Sequence, residues 1–562
     1  MKTIFQLILG VWLLLAVFSC GEELKEIASV QSPAVTTGNF DPADMTVAGQ
    51  LTALGDGIVQ HGHVWSSTNN PPTTADNTTE LGATTSTGSF TSELELLEPN
   101  ATHYIRAYAI DVHGRTFYGE VILINPTSGV TAAFTFPNQD YKAPATVVFT
   151  NNSVNANTYK WYVDNDFQAN TQHFTHKFML PGTYNVKLVV SGDLGKDSVT
   201  NDVNVSWNTF LLTKAEYGEA KKIVLLDNGN TLILAKRASG QNSGIVLLKL
   251  DVFGNTIGEY LFNDLPNSEP YDMIKLSDGT IAIVGSVLNT SVNNSDGFYL
   301  RVDTIGNKLR GPISLSLSPN NSSEIAYSVT QTPTGYVLVA GRVNNPIAGD
   351  FDVFIASGQP ASFGNSFGIL PQRISLPDNE IGYAVVADAG NNIWIAGSKG
   401  APGSHTDAML MKIDEFGTLA AGYPKTFGTG EFEVASTITA LPGNSFMLSG
   451  RSAQDIYLVQ VNSSGSAIAP YPRQIDGGGL EFAYALIAQT DGSYVLGGIK
   501  DGNAMLVKIS NNNQINWIES FGSVGDDYFR SAVATPDGGF LAAGVQNGSL
   551  YIVKTNDLGK TQ

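Results

Sequence analysis

The sequence predicts an all-β chain, with two small β-sandwiches followed by a seven-bladed β-propeller. Three observations carry that expectation. Charged residues make up only 15% of the 562 residues and glycine is abundant at 58, whereas an average globular protein is about 25% charged. This composition suits many short strands joined by turns and argues against a coiled coil, a helical solenoid or a charge-rich disordered chain. Over residues 28–128, apolar and polar residues alternate with period two between turn clusters, the pattern of half-buried strands. From Val205 onward one pattern recurs seven times, and repeats of this length made of short strands read as propeller blades. The length fits three or four domains at roughly 150 residues each.

The N-terminus reads as an address. Lys2 precedes an apolar run, Ile4–Phe18, interrupted by Gln6 and Gly10. The run falls short of the roughly 20 residues that span a bilayer and has the charged and apolar regions of a secretory signal. It ends in Val17-Phe18-Ser19-Cys20, which resembles the lipobox of bacterial lipoproteins. The resemblance implies that residues 1–19 are a signal peptide and that Cys20 is the lipidation site. Residues 20–27 then form a lipidated tether, and the membrane becomes a partner through the anchor. Gly21-Glu22-Glu23 resembles the surface-export signal of Bacteroidetes lipoproteins, which implies an outer-membrane, lipid-anchored, surface-exposed protein. The plainer alternative is an ordinary signal peptide with an incidental cysteine. Cys20 is the only cysteine, so an intrachain disulfide and a cysteine-rich metal cage are both excluded.

Residues 28–128 carry "HGHVWSSTNNPPT" and "GSFTSELELLEPNATHYIRAYAIDVHGRTFYGE" and resemble the fibronectin type III-like domains of Bacteroidetes surface proteins. The resemblance puts Tyr104 near the turn into a core strand. His61 and His63, at i and i+2 of a strand, point to one face as two metal ligands would, but no third ligand lies nearby in sequence. Residues 131–206 resemble a PKD domain, another sandwich. Trp161 fits a core position there, while Asp164-Asn165-Asp166 replaces the family's glycine turn and Pro181-Gly182-Thr183-Tyr184 keeps its hairpin. The same resemblance makes His176 structural. Neither segment offers a nucleophile with a base.

In residues 205–562 each repeat has an apolar strand, a glycine turn, a second strand closing on a small residue, and a third strand. The closing residues are Ala235, Gly285, Gly341, Gly397, Gly450, Gly498 and Gly544, spaced 46 to 56 residues apart. The last repeat lacks a fourth strand, and a similar stretch stands before the first repeat. The segment 205–213 is therefore expected to complete the seventh blade and pair an otherwise exposed edge. The repeats resemble the blades of bacterial secreted propellers, a broad family with no single activity. The third repeat departs most, lacking the base on its third strand and the usual turn after it.

An acidic residue precedes the first strand of every repeat: Glu219, Glu269, Glu324, Glu380, Glu433, Glu481 and Asp527. As a ring at one mouth of the channel they would attract a cation or a basic group. The alternative pairs them with Lys249, Arg301, Lys412, Lys508 and Lys554 on the third strands, where they would only hold register. Beside the acids stand Tyr217, Tyr271, Tyr327, Tyr383, Phe432, Phe482, Tyr484 and Tyr528. Most of these are expected to pack between blades, and any that reach the mouth would suit the C–H faces of sugar rings.

The net charge of −20 argues against a general nucleic-acid binder, which needs a basic face. Only Trp207, Trp394 and Trp517 occur in the propeller, against a quinoprotein's repeated tryptophans. Its sole histidine, His405, lies in a Gly/Pro/Ser-rich loop and is expected to face solvent. No cofactor is expected. Calcium is compatible with an acidic extracellular protein, but no twelve-residue EF-hand-type loop is present. The expected function is a non-catalytic outer-membrane surface lipoprotein presenting its propeller to a glycan or a protein partner. The alternatives are an accessory subunit of an outer-membrane complex or a propeller-based polysaccharide-degrading enzyme.

Overall fold

The computed structural model describes residues 33–561 apart from 42–44, 96, 99–100, 125–128, 193–194, 238–243, 292, 318–321, 345–348, 364–368 and 524. Cys20 and the tether lie outside the described residues. Every described element is a β-strand, as the composition led one to expect. The chain divides into two compact units. One holds both sandwiches apart from Asp140–Ala145 and Lys177–Gly182, and the other holds those two segments and Val205–Gln562.

The first sandwich packs a three-stranded sheet (Ala34–Asp41, Thr46–Ala53, Gly88–Glu93) against a five-stranded one centred on Ile58–Ser66 and His103–Asp111. Its core includes Val47, Leu51, Trp65, Ile105 and Ala107, all buried. The two strand histidines are structural. The fully buried His63 bonds Ser92 Oγ through Nδ1 (2.8 Å) and Ala48 O through Nε2 (3.1 Å). His61 Nδ1 bonds Gly82 O (2.8 Å), and both rings pack on Phe90.

Burial lowers the His63 pKa to about 4. The unfolded chain takes up this proton near pH 6.5, so the unfolded state binds more protons between those values. The stabilisation is complete above pH 6.5 and is lost as pH falls toward 4, about 3 kcal/mol in all. Hydrogen exchange of Ile58–Ser66 in the full chain is therefore expected to accelerate steeply between pH 6.5 and 4, after correction for intrinsic rates. A profile unchanged by His63→Gln would refute the assignment.

The second sandwich has a five-stranded sheet (Tyr141–Lys142, Gly195–Ser206, Gly182–Gly192, Thr158–Val163, Asp166–Ala169) and a three-stranded one. The expected core tryptophan, Trp161, is fully buried among Phe134, Phe149 and Phe174, and its Nε1 donates to Thr171 O. The missing glycine turn is replaced by Asp164 and Asn165, both at positive φ (50° and 70°). That backbone matches the tight turn whose twist suits a hairpin and which Asn and Asp tolerate.

The remaining chain forms seven four-stranded antiparallel sheets, numbered here as blades 1 to 7. Blade 1 consists of Tyr217–Leu225, Thr231–Arg237, Ile245–Leu250 and Thr256–Phe262. The first strands of blades 2 to 7 are Ser268–Lys275, Glu324–Gln331, Asn379–Ala387, Glu433–Leu441, Glu481–Ala488 and Tyr528–Ala534. Successive first strands pack side by side, and those of blades 7 and 1 meet, so the ring closes. Phe210–Lys214 forms the fourth strand of blade 7, with Leu212 opposite Ile552. The strand starts later than 205–213 because Val205 and Ser206 continue the preceding sandwich strand, pairing in parallel with Tyr141 and Lys142. Apolar clusters fill the gaps between blades. One joins Ile223, Ile233 and Leu248 of blade 1 to Leu541, Leu550 and Ile552 of blade 7, fixing the junction where the chain's ends meet.

Candidate functional site: a channel lined by seven bulge residues

In every blade the ladder between the first two strands slips by one residue on the first strand. The slips fall at Ala220/Lys222, Pro270/Asp272, Ala326/Ser328, Gly382/Ala384, Ala435/Thr437, Ala483/Ala485 and Phe529/Ser531. Each is a β-bulge, in which one extra residue leaves the ladder and its side chain is re-aimed. The extra residues are Lys221, Tyr271, Tyr327, Tyr383, Ser436, Tyr484 and Arg530, and all seven line a single cavity of about 610 Å³.

The bulge also explains the small closing residues of the second strands. A Cβ on Gly341 would lie 1.8 Å from Ile325 O, and one on Gly397 1.8 Å from Ile381 O. Gly450, Gly498 and Gly544 face a bulge-strand carbonyl in the same way. In these blades the bulged strand pushes a carbonyl into the space a Cβ would take, while blade 1 carries Ala235 at the equivalent position.

Around the ring the seven residues are unequal. Tyr271, Tyr327 and Tyr383 make an aromatic arc over three consecutive blades, with ring centres 5.0 and 5.4 Å apart. Burial pushes their phenols upward, that of Tyr327 to about 12, so they remain neutral donors. Next in the ring, Lys221 and Arg530 grip one carboxylate. Arg530 Nε donates to Glu219 Oε1 (2.7 Å) and Lys221 Nζ to Glu219 Oε2 (2.6 Å). Lys221 Nζ also lies 2.7 Å from Glu269 Oε1, and Lys236 Nζ donates to Glu269 Oε2 at 2.5 Å. Burial alone would raise Glu219, but the two cations outweigh it and hold the carboxyl below its usual range.

The seven acids do not form one ring. Glu324, Glu380, Glu433, Glu481 and Asp527 are fully buried and lie outside the channel lining. Glu219 and Glu269 sit one residue later in register. Glu269 opposes Ser286, the residue after the closing glycine, whereas Glu324 opposes Val343, two after it. A one-residue offset in a strand turns a side chain to the other face, so these two acids instead meet the lining cations Lys221 and Arg530.

Their partners also differ from the sequence expectation. Glu380 is held by Lys399 and Glu481 by Lys500, both on second strands, while Glu433 accepts from Ser452 Oγ. Of the third-strand bases, Arg301, Lys508 and Lys554 instead pair with the turn carboxylates Asp278, Asp491 and Asp537. Lys249 donates to Thr304 O, and Lys412 lies over the Trp394 ring.

Of the eight aromatics read beside the acids, Tyr271, Tyr327, Tyr383, Phe482 and Tyr484 line the channel. Tyr217 is buried in the junction of blades 1 and 7, Tyr528 lies under Arg530, and Phe432 is exposed against His405. His405 is itself exposed. Sequence reasoning missed Lys221, Ser436 and Arg530. A signal for them existed: all seven lining residues stand 14 positions before their closing small residue, as Lys221 does before Ala235 and Arg530 before Gly544. The five buried acids stand 17 before it, and Glu219 and Glu269 stand 16.

Among the described residues one trio has its carboxylate oxygens close enough for a metal: Asp455, Asp476 and Glu481. Lys500 Nζ donates to Glu481 Oε1 at 2.6 Å, so a cation is already supplied by the chain.

The fold and channel thus define a β-propeller with a polar, aromatic central cavity, carried on a chain with two sandwich domains. Residues 123–205 match the PKD domain family, so the second sandwich is a PKD domain. No curated protein matches the chain. Among solved structures, it is similar to a quinonprotein alcohol dehydrogenase-like protein from Bacteroides thetaiotaomicron, with 13% identity and a TM-score of 0.33 over 70% of this chain and 97% of that one. It is also similar to an α-L-arabinanase of Penicillium chrysogenum complexed with arabinobiose, with 9% identity and a TM-score of 0.38 over 62% and 98%. Drosophila Plexin A in complex with Semaphorin 1b is similar at 9% identity and a TM-score of 0.38 over 61% and 86%.

Proposed function

We propose that this protein is a non-catalytic surface lipoprotein of an outer membrane, anchored through lipids on Cys20, whose propeller channel binds a glycan. The fibronectin type III-like and PKD sandwiches act as spacers between the anchor and the propeller. The observation that carries the reading is the set of seven bulges, each delivering one side chain to a common cavity. A size of about 610 Å³ falls within the range of small-ligand sites, roughly 300–1,000 Å³. Neutral phenols on an arc of rings supply both stacking faces and hydrogen-bond donors for sugars.

The charge arrangement favours binding over hydrolysis. A glycosidase needs one carboxyl held protonated to give its proton to the leaving oxygen. Glu219 is instead pushed the other way by Lys221 and Arg530, and Glu269 and Asp272 are each clasped by lysine.

The test is a panel of polysaccharides presented to the chain from Glu23 onward, with released sugars measured in the same wells. Binding without product is expected, weakened at least tenfold by Tyr327→Ala, which removes the middle ring of the arc. Product release that persists through repurification overturns the non-catalytic reading, and no binding to any polymer overturns the glycan reading.

A second reading, docking onto a protein complex, draws on four exposed apolar tips. Phe253, Ile305, Phe416 and Leu558 are 48 to 60% exposed and occupy equivalent turns after the third strands of four blades. Cross-linking on intact cells that is abolished by Phe253→Ser and Phe416→Ser together would favour it.

A further inference from the structure

Resting on the reading of the channel as a glycan site, we propose that its ligand is an acidic polysaccharide bearing carboxylates on its sugar rings. Arg451 receives the carboxylate while the sugar faces lie on the tyrosine arc. The sequence gives no hint of this, because the chain as a whole carries a charge of −20 and its conspicuous repeated residues are acids. Inside the channel the balance is reversed. Four cations, Lys221, Lys222, Arg451 and Arg530, line the cavity against three carboxylates, Asp272 in the lining and Glu219 and Glu269 paired with Lys221 and Arg530, so one cation is left over.

What each cation has left to offer decides which ligand fits. Lys222 is taken up by Asp272 at 2.8 Å, and Lys221 by Glu219 and Glu269. Arg451 has no ion-pair partner among the described residues. Its guanidinium carbon lies 4.7 Å from the Phe482 ring centre. Stacking occupies the face of a guanidinium and leaves its in-plane N–H groups free, in the fork geometry that fits a carboxylate. Arg530 is stacked in the same way, 4.3 Å from the Tyr484 ring centre, and gives its Nε to Glu219. Its terminal nitrogens have no protein acceptor among the described residues.

A cationic ligand would have to enter a cavity whose acids are already neutralised, next to Arg451, which is not. An anionic ligand meets unused donors. The distant surface acids do not cancel this, since exposed charges are screened beyond about 8 Å at physiological salt, while donors on low-dielectric cavity walls act locally.

The test measures binding of the full mature chain to polygalacturonate, alginate and hyaluronate as carboxylated polymers, carrageenan and dextran sulfate as sulfated ones, and arabinan and dextran as neutral ones. Tight binding to at least one carboxylated polymer is expected, at least tenfold above neutral and sulfated polymers and weakening as salt is raised. Arg451→Gln is expected to lower that binding at least tenfold, with Arg451→Lys retaining part of it. Thermal melts of both variants must match the parent, so that loss of binding reports the site rather than the fold. Arg530→Gln gives an independent reading from the second cation. Equal or better binding to neutral polymers, indifferent to Arg451→Gln, overturns the acidic-ligand inference and leaves the glycan reading standing. Preference for sulfated polymers overturns the assignment to carboxylate. No binding to any polymer overturns both.

Discussion

Leu212→Pro is expected to unlatch the ring. Leu212 lies in the middle of Phe210–Lys214, opposite Ile552 on the third strand of blade 7. It packs against the cluster that joins blades 7 and 1. Proline has no N–H to give to a ladder, and its ring does not fit mid-strand. The lost ladder bond should cost about 1–3 kcal/mol. The effect should also spread, because the strand closes a circle: once it is lost, Ser549–Thr555 presents an unpaired edge, a template for aggregation. A fall in thermal midpoint accompanied by faster aggregation on heating is the expected result. Retention of the parent midpoint would mean that closure depends on inter-blade packing alone.

Gly341→Val is expected to be damaging as well, and its consequences reach the channel. A Cβ at this position would lie 1.8 Å from the carbonyl oxygen of Ile325, a backbone atom with no rotamer to escape into. Either the bulge of blade 3 flattens or the two strands part, and overpacking of this kind costs about 3 kcal/mol. Flattening the bulge would return Tyr327 to the ladder and remove it from the arc. The variant should therefore lose stability and glycan binding together, whereas Tyr327→Ala should lose binding at little cost in stability. A stable Gly341→Val protein that binds normally would show that the bulge does not depend on the glycine.

The fold was legible because its signals were repeated. Seven closing residues and a stray N-terminal strand are enough to infer seven sheets and their closure, and the family resemblance placed Trp161 in a core. The site was legible only in part, for a reason intrinsic to strands. Placing an acid only as preceding its first strand leaves an uncertainty of one residue, and in a strand one residue separates one face from the other. Glu219 and Glu269 were therefore grouped with five acids that point elsewhere. Lys399 and Lys500 were overlooked as acid partners because they stand at the ends of second strands, where no basic residue recurs in every repeat. The bulges left no mark in hydrophobic periodicity. Lys221, Ser436 and Arg530 are of three different types, so nothing in composition joined them to the tyrosines. Only the constant distance to the closing small residue does.

The bulges also bear on how such a chain can change. Each excludes one residue from the pairing that holds its blade together, so its side chain can change without breaking a ladder bond. Replacing one rewrites a single segment of the channel wall while the core beneath keeps its packing. Seven sites on one scaffold form a combinatorial alphabet, in which the present word is Lys-Tyr-Tyr-Tyr-Ser-Tyr-Arg. A propeller built this way can acquire a new ligand one letter at a time, without passing through an unfolded intermediate sequence.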